Sequence, residues 1–358
     1  MTPLRVALIA SSTHPIREPF AGGLEAHTAL LARELTRRGH VVTVFAAPGS
    51  ELAPGVRVEI MHSLRLSDAA RADVSMPAAV FMAEHHAYLD LMLRLADGHD
   101  VDGHALDVVH NNSLHHLPVA MARTVRAPVV TTLHTPPTPW LESAIATAAG
   151  RHGVLTAVST HTAGAWRHVA GEVTVIRNGV DVEARAPGPG GGPLVWAGRL
   201  VPEKGAHLAV DAARRAGCAL DLAGPVSDRA YFDEMVAPRL GGAVRYVGHL
   251  AHSELTSLMG RASAVLVTPC WEEPYGLVVA EALACGTPVA GFAVGALPEL
   301  VDDSCGRLVP AGDTAALAAV VPTVTGLSRR AARRRAELHW SHRRMVDEYV
   351  GLYTRAAA

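Results

Sequence analysis

The stretch from Pro269 to Gly291 reads PCWEEPYGLVVAEALACGTPVAG, and it decides how the rest of the chain is interpreted. Leu277–Ala284 is apolar apart from Glu281, which predicts the opening turns of a buried helix. A helix N-terminus carries unpaired N–H groups and partial positive charge, so it suits an anionic ligand. Glu273, in the loop before this helix, and Glu281, about two turns into it, are expected to face one cleft. Sugar or ribose hydroxyls would suit such carboxylates as partners.

Length and composition indicate an ordinary two-domain α/β protein. The 358 residues are enough for two domains that each bury a core, and 49% of them are apolar while 18% are charged. The formal net charge of −2 provides no general attraction to nucleic acid or to a membrane surface. We therefore expect no nucleic-acid partner, and any attraction for an anionic substrate must be local.

Cysteine usage and hydropathy bear on the compartment. Four cysteines (218, 270, 285 and 305) form no C-x-x-C pair, which favours free thiols over a disulfide frame or a zinc site. The apolar run near the N-terminus is short for a signal peptide. No uncharged apolar run approaches about 18 residues, so a membrane-spanning helix is not expected. These patterns predict a cytoplasmic protein.

Strand-like and helix-like segments alternate along the chain on both sides of the linker 187–193, which reads PGPGGGP. This alternation favours parallel sheets with right-handed crossovers, and hence one Rossmann-like domain in each half. We predict domains at 1–180 and 190–339. The strands are expected at 4–10, 41–46, 107–110 and 128–133 in the first half, and at 194–197, 219–223, 244–247, 264–268 and 288–292 in the second.

The segment 329–335 contains five arginines, at 329, 330, 333, 334 and 335. Such a helix could contact a membrane surface. Glu337 and Trp340 interrupt the pattern and the apolar face is weak, so a solvated basic helix is favoured. Peripheral membrane contact stays open as the alternative.

Three further motifs accompany the two glutamates. Gly198–Gly205 reads GRLVPEKG, Ile176–Asp181 reads IRNGVD, and Gly22 and Gly23 follow the first strand. In this order they resemble the motifs of the retaining glycosyltransferases of the sucrose-synthase-like family (family four, group 1), including its E-x7-E signature. That resemblance implies the GT-B fold, two Rossmann-like parallel-sheet domains facing a cleft. It also implies that a C-terminal helix, 340–358, packs back on the first domain.

Two cations are the first candidates for catalysis. Arg199 and Lys204 follow the strand 194–197, and fixed positive charge there would stabilise a departing phosphate. A weak surface ion pair with Glu203 is the alternative. The resemblance implies that both hold the diphosphate of a sugar donor. Gly22 and Gly23 would add backbone N–H groups to the same phosphates, although a Gly-Gly pair is more often a simple turn.

The resemblance also distributes roles over the remaining motif residues. Glu281 would hold the ribose hydroxyls, and Glu273 would lie nearest the transferred hexose as the third catalytic residue. The backbone of four residues between them would join in donor binding: Tyr275, Gly276, Leu277 and Val278. Cys270 and Tyr275 stand where the family usually has serine and phenylalanine, and both changes are mild.

Two other positions complete the expected site. His134 ends the strand 128–133, where the family carries a catalytic histidine that contacts the donor sugar; an ordinary strand-end histidine is the alternative. Leu250 would contact the base through its backbone. No D-x-D sequence ends a strand, so neither a metal nor any other cofactor is expected.

The sequence therefore predicts a hexosyltransferase that uses a UDP- or GDP-linked sugar. The acceptor, a small molecule, lipid or glycan, is expected against the loops Thr13–Phe20, Asn111–His116 and Pro136–Trp140. The alternatives are a nucleotide-sugar epimerase of the same architecture and a non-catalytic sugar-nucleotide sensor. A pyridoxal-dependent phosphorylase is disfavoured because lysine is nearly absent.

Overall fold

Runs rich in valine, leucine and alanine alternate with helices along the chain, and the computed structural model, which describes residues 2–98 and 102–358, pairs them into two parallel sheets. The first sheet has seven strands in the order β3-β2-β1-β4-β5-β6-β7. Its strands are β1 (Arg5–Ile9), β2 (Val41–Ala46), β3 (Arg57–Ile60), β4 (Val108–Asn111), β5 (Val129–Leu133), β6 (Val154–Ala157) and β7 (Thr174–Val175).

The second sheet has six strands in the order β10-β9-β8-β11-β12-β13. They are β8 (Leu194–Ala197), β9 (Leu220–Ala223), β10 (Val244–Gly248), β11 (Val265–Val267), β12 (Val289–Phe292) and β13 (Gly306–Val309). Both sheets reverse their strand order beside the first strand of the domain, and ligands bind at such a reversal, outside the carboxyl ends of the strands. The prediction of two Rossmann-like domains facing a cleft is confirmed.

Helices cover both faces of each sheet. In the first half they are α1 (Gly23–Arg37), α2 (Asp68–Ala72), α3 (Ala79–Leu95), α4 (Leu117–Ala120), α5 (Pro139–Ala148) and α6 (Thr160–Ala170). In the second half they are α7 (Ala206–Arg215), α8 (Arg229–Tyr231), α9 (His252–Arg261), α10 (Leu277–Ala284), α11 (Leu297–Leu300), α12 (Thr314–Thr325), α13 (Arg329–His339) and α14 (His342–Ala357). Because the strands are buried on both faces, they read as nearly continuous apolar runs.

The last helix packs on the first sheet. Tyr349 and Tyr353 of α14 are fully buried in the same cluster as Leu8 of β1 and Leu31 of α1. The chain reaches this position through a short parallel bridge, in which Val180 N–H donates to the Trp340 carbonyl (2.8 Å) and His342 N–H donates to the Val180 carbonyl (3.0 Å). The IRNGVD motif is therefore the joint at which the final helix crosses back.

The arginine-rich helix α13 is only partly the solvated helix that the sequence predicted, because three of its five arginines bind to the protein itself. Arg329 donates to the carbonyls of Gly188, Gly260, Ala262 and Cys285 and to the Thr287 hydroxyl, so it ties the linker to the second domain. Arg335 pairs with Asp302 at 2.5 Å. Arg333 bonds to the Arg185 and Ala284 carbonyls, whereas Arg330 and Arg334 are exposed. The three bound arginines donate to backbone carbonyls that have no partner within their own segments. A charge pattern in the sequence does not reveal such carbonyls, so it could not predict these contacts.

Two further findings concern membranes and thiols. Among residues 2–98 and 102–358, no helix combines the length and the apolar character needed to cross a bilayer. All four cysteines are free thiols, as their spacing predicted. Cys285 and Cys305 are buried, and burial raises the pKa of both thiols.

We expect Gly179→Ala to destabilise the protein through the joint with α14. A Cβ atom at Gly179 would lie 2.5 Å from the His342 Cα and 2.8 Å from its backbone N. The clash should lower the free energy of unfolding by about 1–3 kcal/mol. Gly164→Ala is the matched control, since a Cβ there meets no atom within 4 Å in helix α6 and should stabilise by about 0.5–1 kcal/mol. Urea unfolding measures both, and equal values for the two variants would contradict the assigned joint.

Candidate active site

A cleft opens between the carboxyl ends of the two sheets and contains two adjoining cavities. The first cavity, about 280 Å³, is lined by both domains. Ten of the eleven residues predicted to bind the donor line it, namely Gly22, Gly23, Arg199, Lys204, Leu250, Glu273, Gly276, Leu277, Val278 and Glu281. The structure thus brings together residues that are more than 250 positions apart in the sequence.

The second cavity, about 790 Å³, lies beside the first and shares Gly22, Arg199 and Glu273 with it. It contains the other two predicted residues, His134 and Tyr275. Of the three loops expected to face an acceptor, Thr13–Phe20 provides several lining residues and Asn111–His116 provides Leu114. No residue of Pro136–Trp140 lines either cavity in the described part of the chain.

Two helix N-termini meet at the boundary between these cavities. Helix α1 begins at Gly23 after an extended Gly22, and a Cβ on Gly23 would lie 3.5 Å from the Leu277 side chain that opens α10. Gly276 precedes α10 with φ of 88°, a left-handed conformation that favours glycine. The first N–H groups of both helices have no intrahelical partner, so both helix dipoles favour an anion here.

The GRLVPEKG segment passes beneath the cleft with little space to spare. Gly205 has φ of 65°, and a Cβ there would lie 2.1 Å from the Thr268 carbonyl oxygen. Cys270 N–H donates to the Glu203 carbonyl at 2.8 Å, which joins this segment to the start of the loop that carries Glu273. The glycine therefore permits the close approach that holds Lys204 next to Glu273.

Lys204 and Glu273 form an ion pair. Lys204 Nζ lies 2.5 Å from Glu273 Oε2, and the two side chains are only 24% and 13% exposed. The Trp271 indole N–H donates to the same Oε2 at 3.1 Å, and Nζ lies 5.1 Å from the centre of the Trp271 ring. Both predicted residues are therefore in the cleft, and Trp271 is an addition that the sequence pattern did not single out.

Arg199 forms an ion pair with Glu203, which was the alternative interpretation of this residue. Its Nη2 lies 3.7 Å from Glu203 Oε1, and both side chains are substantially exposed, at 43% and 38%. An exposed pair at this distance is weak, so it does not prevent the guanidinium from binding an anion. Arg199 lines both cavities, which places a planar, permanently charged donor at their boundary.

Glu281 has an internal partner that sequence reasoning missed. Because α10 begins at Leu277, Glu281 lies little more than one turn inside the helix rather than two. Its Oε1 accepts from Arg185 Nη2 at 2.5 Å, and Arg185 is only 2% exposed. Arg185 also donates to Thr256 and approaches His252, so it is fixed on several sides. Arg185 belongs to no sequence motif, so the sequence alone did not indicate its role.

The loop that carries Glu273 is fixed by contacts with both domains. Ala296 N–H donates to the Glu273 carbonyl at 2.8 Å, and a Cβ on Gly295 would lie 2.2 Å from that oxygen. The buried Tyr275 hydroxyl donates to the Asn178 carbonyl at 2.6 Å, and burial raises the pKa of this phenol. The tyrosine that replaces the usual phenylalanine thus ties the loop to the interdomain segment.

His134 lies directly after β5 in a cluster of neutral imidazoles. Its Nε2 donates to Asn112 Oδ1 at 3.0 Å, and its ring packs edge-on against His27 at 5.2 Å. Burial, reinforced by His27 and His110, holds the pKa of His134 well below its usual value. Burial also lowers the pKa of His27 to about 4 and, helped by His27, that of His110 to about 3. At neutral pH His134 therefore presents an uncharged ring to the second cavity.

Two groups in the described residues have metal-ligand side chains in proximity, and neither makes a convincing metal centre. In the first group, His85, His115 and His116, the Nδ1 lone pair of His115 already accepts from the Leu117 N–H at 3.2 Å. In the second group, Glu34, Asp181 and His342, arginines neutralise both carboxylates: Arg33 contacts both, and Arg37 also contacts Glu34. Both groups are explained by packing and ion pairing.

Comparison with known proteins identifies the family. The family model described as glycosyl transferases group 1 matches residues 192–324, and the model described as glycosyltransferase family 4 matches residues 21–184. Glycogen synthase of Mycobacterium tuberculosis is 31% identical over 388 aligned positions, which cover 94% of this chain and 90% of that protein. D-inositol 3-phosphate glycosyltransferase of Mycolicibacterium smegmatis is 29% identical, with coverage of 99% and 92%.

Solved structures agree with this assignment. AviGT4, a glycosyltransferase involved in avilamycin A biosynthesis, superposes with a TM-score of 0.72 at 26% identity, covering 99% of this chain and 98% of that one. Sucrose-phosphate synthase from Thermosynechococcus elongatus shares the fold, with a TM-score of 0.78 at 21% identity and 98% coverage of each chain. Fold and cleft together define an enzyme of the GT-B class. The chain belongs to the group 1, family four glycosyltransferases.

We expect stability to fall in mild acid because of the buried histidines. His27 is neutral in the folded protein down to about pH 4, whereas the unfolded chain binds a proton near 6.5. The free energy of unfolding should therefore decrease from pH 6.5 towards pH 4, by about 1.4 kcal/mol per pH unit for each such histidine. His27→Leu should flatten the slope, without loss of stability at pH 7, because both ring nitrogens are buried and lack a partner among the described residues. Urea unfolding at pH 7, 6 and 5 measures this, and equal slopes would contradict it.

Proposed function

We propose that the protein is a retaining, metal-independent hexosyltransferase that uses a UDP- or GDP-linked sugar as donor. The observation that carries the proposal is the convergence of two cations, two helix N-termini and two carboxylates on the first cavity. A nucleoside diphosphate sugar has the complementary groups, namely an anionic diphosphate, a ribose diol and a hexose. The family membership fixes the reaction class, and this charge pattern favours the donor class.

The donor is proposed to lie with its diphosphate at Arg199, Lys204 and the start of α1. Glu281 would accept hydrogen bonds from the ribose hydroxyls through the oxygen that Arg185 does not contact. Leu250 lines the same cavity, where its backbone could contact the base. Among structural neighbours, Anabaena HepE was solved with UDP-glucose, and its structure resembles this one (TM-score 0.76, 19% identity). The fold proposed to bind the donor is therefore one that holds UDP-glucose in HepE.

The chemistry proposed is a same-face substitution. The bond between the anomeric carbon and the diphosphate oxygen breaks, the acceptor oxygen bonds to that carbon on the same face, and the acceptor proton passes to the departing phosphate. Arg199, Lys204 and the helix N-termini would stabilise the charge that develops on this phosphate, as a metal ion does in other enzymes. The neutral ring of His134 and the side chain of Glu273 would hold the hexose hydroxyls.

The acceptor is proposed to occupy the second cavity. Its volume, about 790 Å³, would accommodate a sugar-sized alcohol or the end of a longer molecule. Arg17 and Arg199 lie on its walls together with Glu25 and Glu84, so the lining is of mixed charge. Burial raises the pKa of Glu84, although His14 opposes the shift.

A donor panel tests the proposal. UDP- and GDP-linked glucose, mannose and N-acetylglucosamine would each be incubated without acceptor, and slow hydrolysis would be followed by release of the nucleoside diphosphate. We expect turnover with at least one donor, unchanged by EDTA because the cations are part of the chain. Binding without turnover would indicate a sensor. Complete loss with EDTA, restored by Mn²⁺ or Mg²⁺, would contradict metal independence.

Substitution of the two glutamates should have different effects on nucleoside diphosphate binding. Glu281→Gln should weaken nucleoside diphosphate binding about tenfold, because an amide is a poorer acceptor than a carboxylate for the hydrogen bonds that the ribose hydroxyls donate. Glu273→Gln should keep or tighten that binding while turnover falls, because its expected partner is the hexose. Glu272→Gln is the control, since Glu272 is 61% exposed and pairs with His161 instead. Calorimetry measures all three, and the reverse pattern would show the donor to be oriented the other way.

A further inference from the structure

Lys204 is the only lysine in the sequence, and the structure gives it an anionic partner inside the active site. The ammonium contacts the same carboxylate oxygen of Glu273 that accepts the Trp271 indole N–H. The ring of Trp271 also lies beside the ammonium, at 5.1 Å. One aromatic side chain therefore contacts both members of the ion pair.

The ammonium of Lys204 and the carboxylate of Glu273 bind each other, and both are also proposed to bind the donor. Lys204 lines the first cavity, where the diphosphate is proposed to bind, and Glu273 lines both cavities. A diphosphate carries more negative charge than one carboxylate, so it competes effectively for the ammonium. Once the ammonium turns to the diphosphate, Glu273 loses its counter-charge beside a second anion.

Trp271 is suited to hold the carboxylate at that moment. Its indole N–H is a fixed donor that carries no net charge and has no acceptor function, so a diphosphate does not draw it away as strongly as an ammonium. The side chain is half-buried and lines the second cavity. Its backbone precedes Glu273 by two residues in the same rigid loop, so ring and carboxylate are held together.

We infer that Trp271 is a positioning residue for Glu273, and that donor binding exchanges the partner of Lys204 from Glu273 to the diphosphate. Glu273 contacts both Lys204 and Trp271 before the donor binds, and it keeps the contact with the indole N–H when Lys204 turns to the diphosphate. The carboxylate is thereby released from its ion pair only when a donor is present, with its direction preserved. This inference rests on the proposed donor site and adds the means by which Glu273 becomes available to the hexose.

The single lysine allows a direct spectroscopic test. Protein grown with lysine labelled with ¹³C at Cε gives one lysine side-chain signal, that of Lys204. In nucleotide-free protein Trp271→Phe and Glu273→Gln should each shift this signal, whereas Glu272→Gln should not. Inorganic pyrophosphate, UDP or GDP should shift it in the wild type. Signals that coincide in wild type, Trp271→Phe and Glu273→Gln would overturn the pairing.

Kinetics then test the positioning role. Trp271→Phe keeps an aromatic ring but lacks the N–H, so kcat for hydrolysis of the active donor should fall about tenfold, the loss of one hydrogen bond to a charged group. The Kd for the nucleoside diphosphate should change less than twofold, and Glu272→Gln should match the wild type in both. A wild-type kcat in Trp271→Phe would overturn the role, as would an equal loss in nucleotide affinity. If no donor is turned over, the proposed function fails, and the labelled signal with pyrophosphate still decides the partner exchange.

Discussion

Charge neutralisation inside the cleft is the constraint on which the rest of this structure depends. Two carboxylates in a half-buried cleft repel each other and any anionic ligand, so each requires its own cation. Arg185 supplies one to Glu281 and Lys204 supplies the other to Glu273. The two cations differ in kind, because Arg185 is buried and held by further contacts, whereas Lys204 is a flexible point charge at the cavity wall. Glu281 is thus paired with a buried cation, and Glu273 is paired with a cation at the cavity wall that the proposed donor would draw away.

The fold brings these charged residues together from distant parts of the chain. Arg185 belongs to the interdomain segment, Lys204 follows the first strand of the second sheet, and the glutamates flank the start of α10. Contacts across the domains preserve their alignment. Glu299 of the second domain accepts from the N–H groups of Thr160 and His161 at the start of α6 and from Arg177. The orientation of the charged groups in the cleft thus depends on interdomain contacts of Glu299 that lie away from those groups.

The central strands and the motif residues could be predicted for two reasons. Burial on two faces gives continuous apolar runs, and glycine is required at Gly205 by close backbone approach and favoured at Gly276 by a left-handed φ of 88°. Edge strands such as β3 and β7 escaped, since they are short and partly exposed. Arg185 and Trp271 escaped because their roles depend on partners distant in sequence or on side-chain direction. The arginines of α13 were misjudged for a related reason, since their carbonyl partners lie in other loops.

The chain passes between the two domains twice, once through the segment around Asp181 and again just before α14. The two passages lie side by side and are hydrogen-bonded to each other. A body attached at one point can swivel in all directions, whereas a body attached at two adjacent points turns most readily about the line that joins them. We therefore expect the double crossing to restrict any widening of the cleft to rotation about this line.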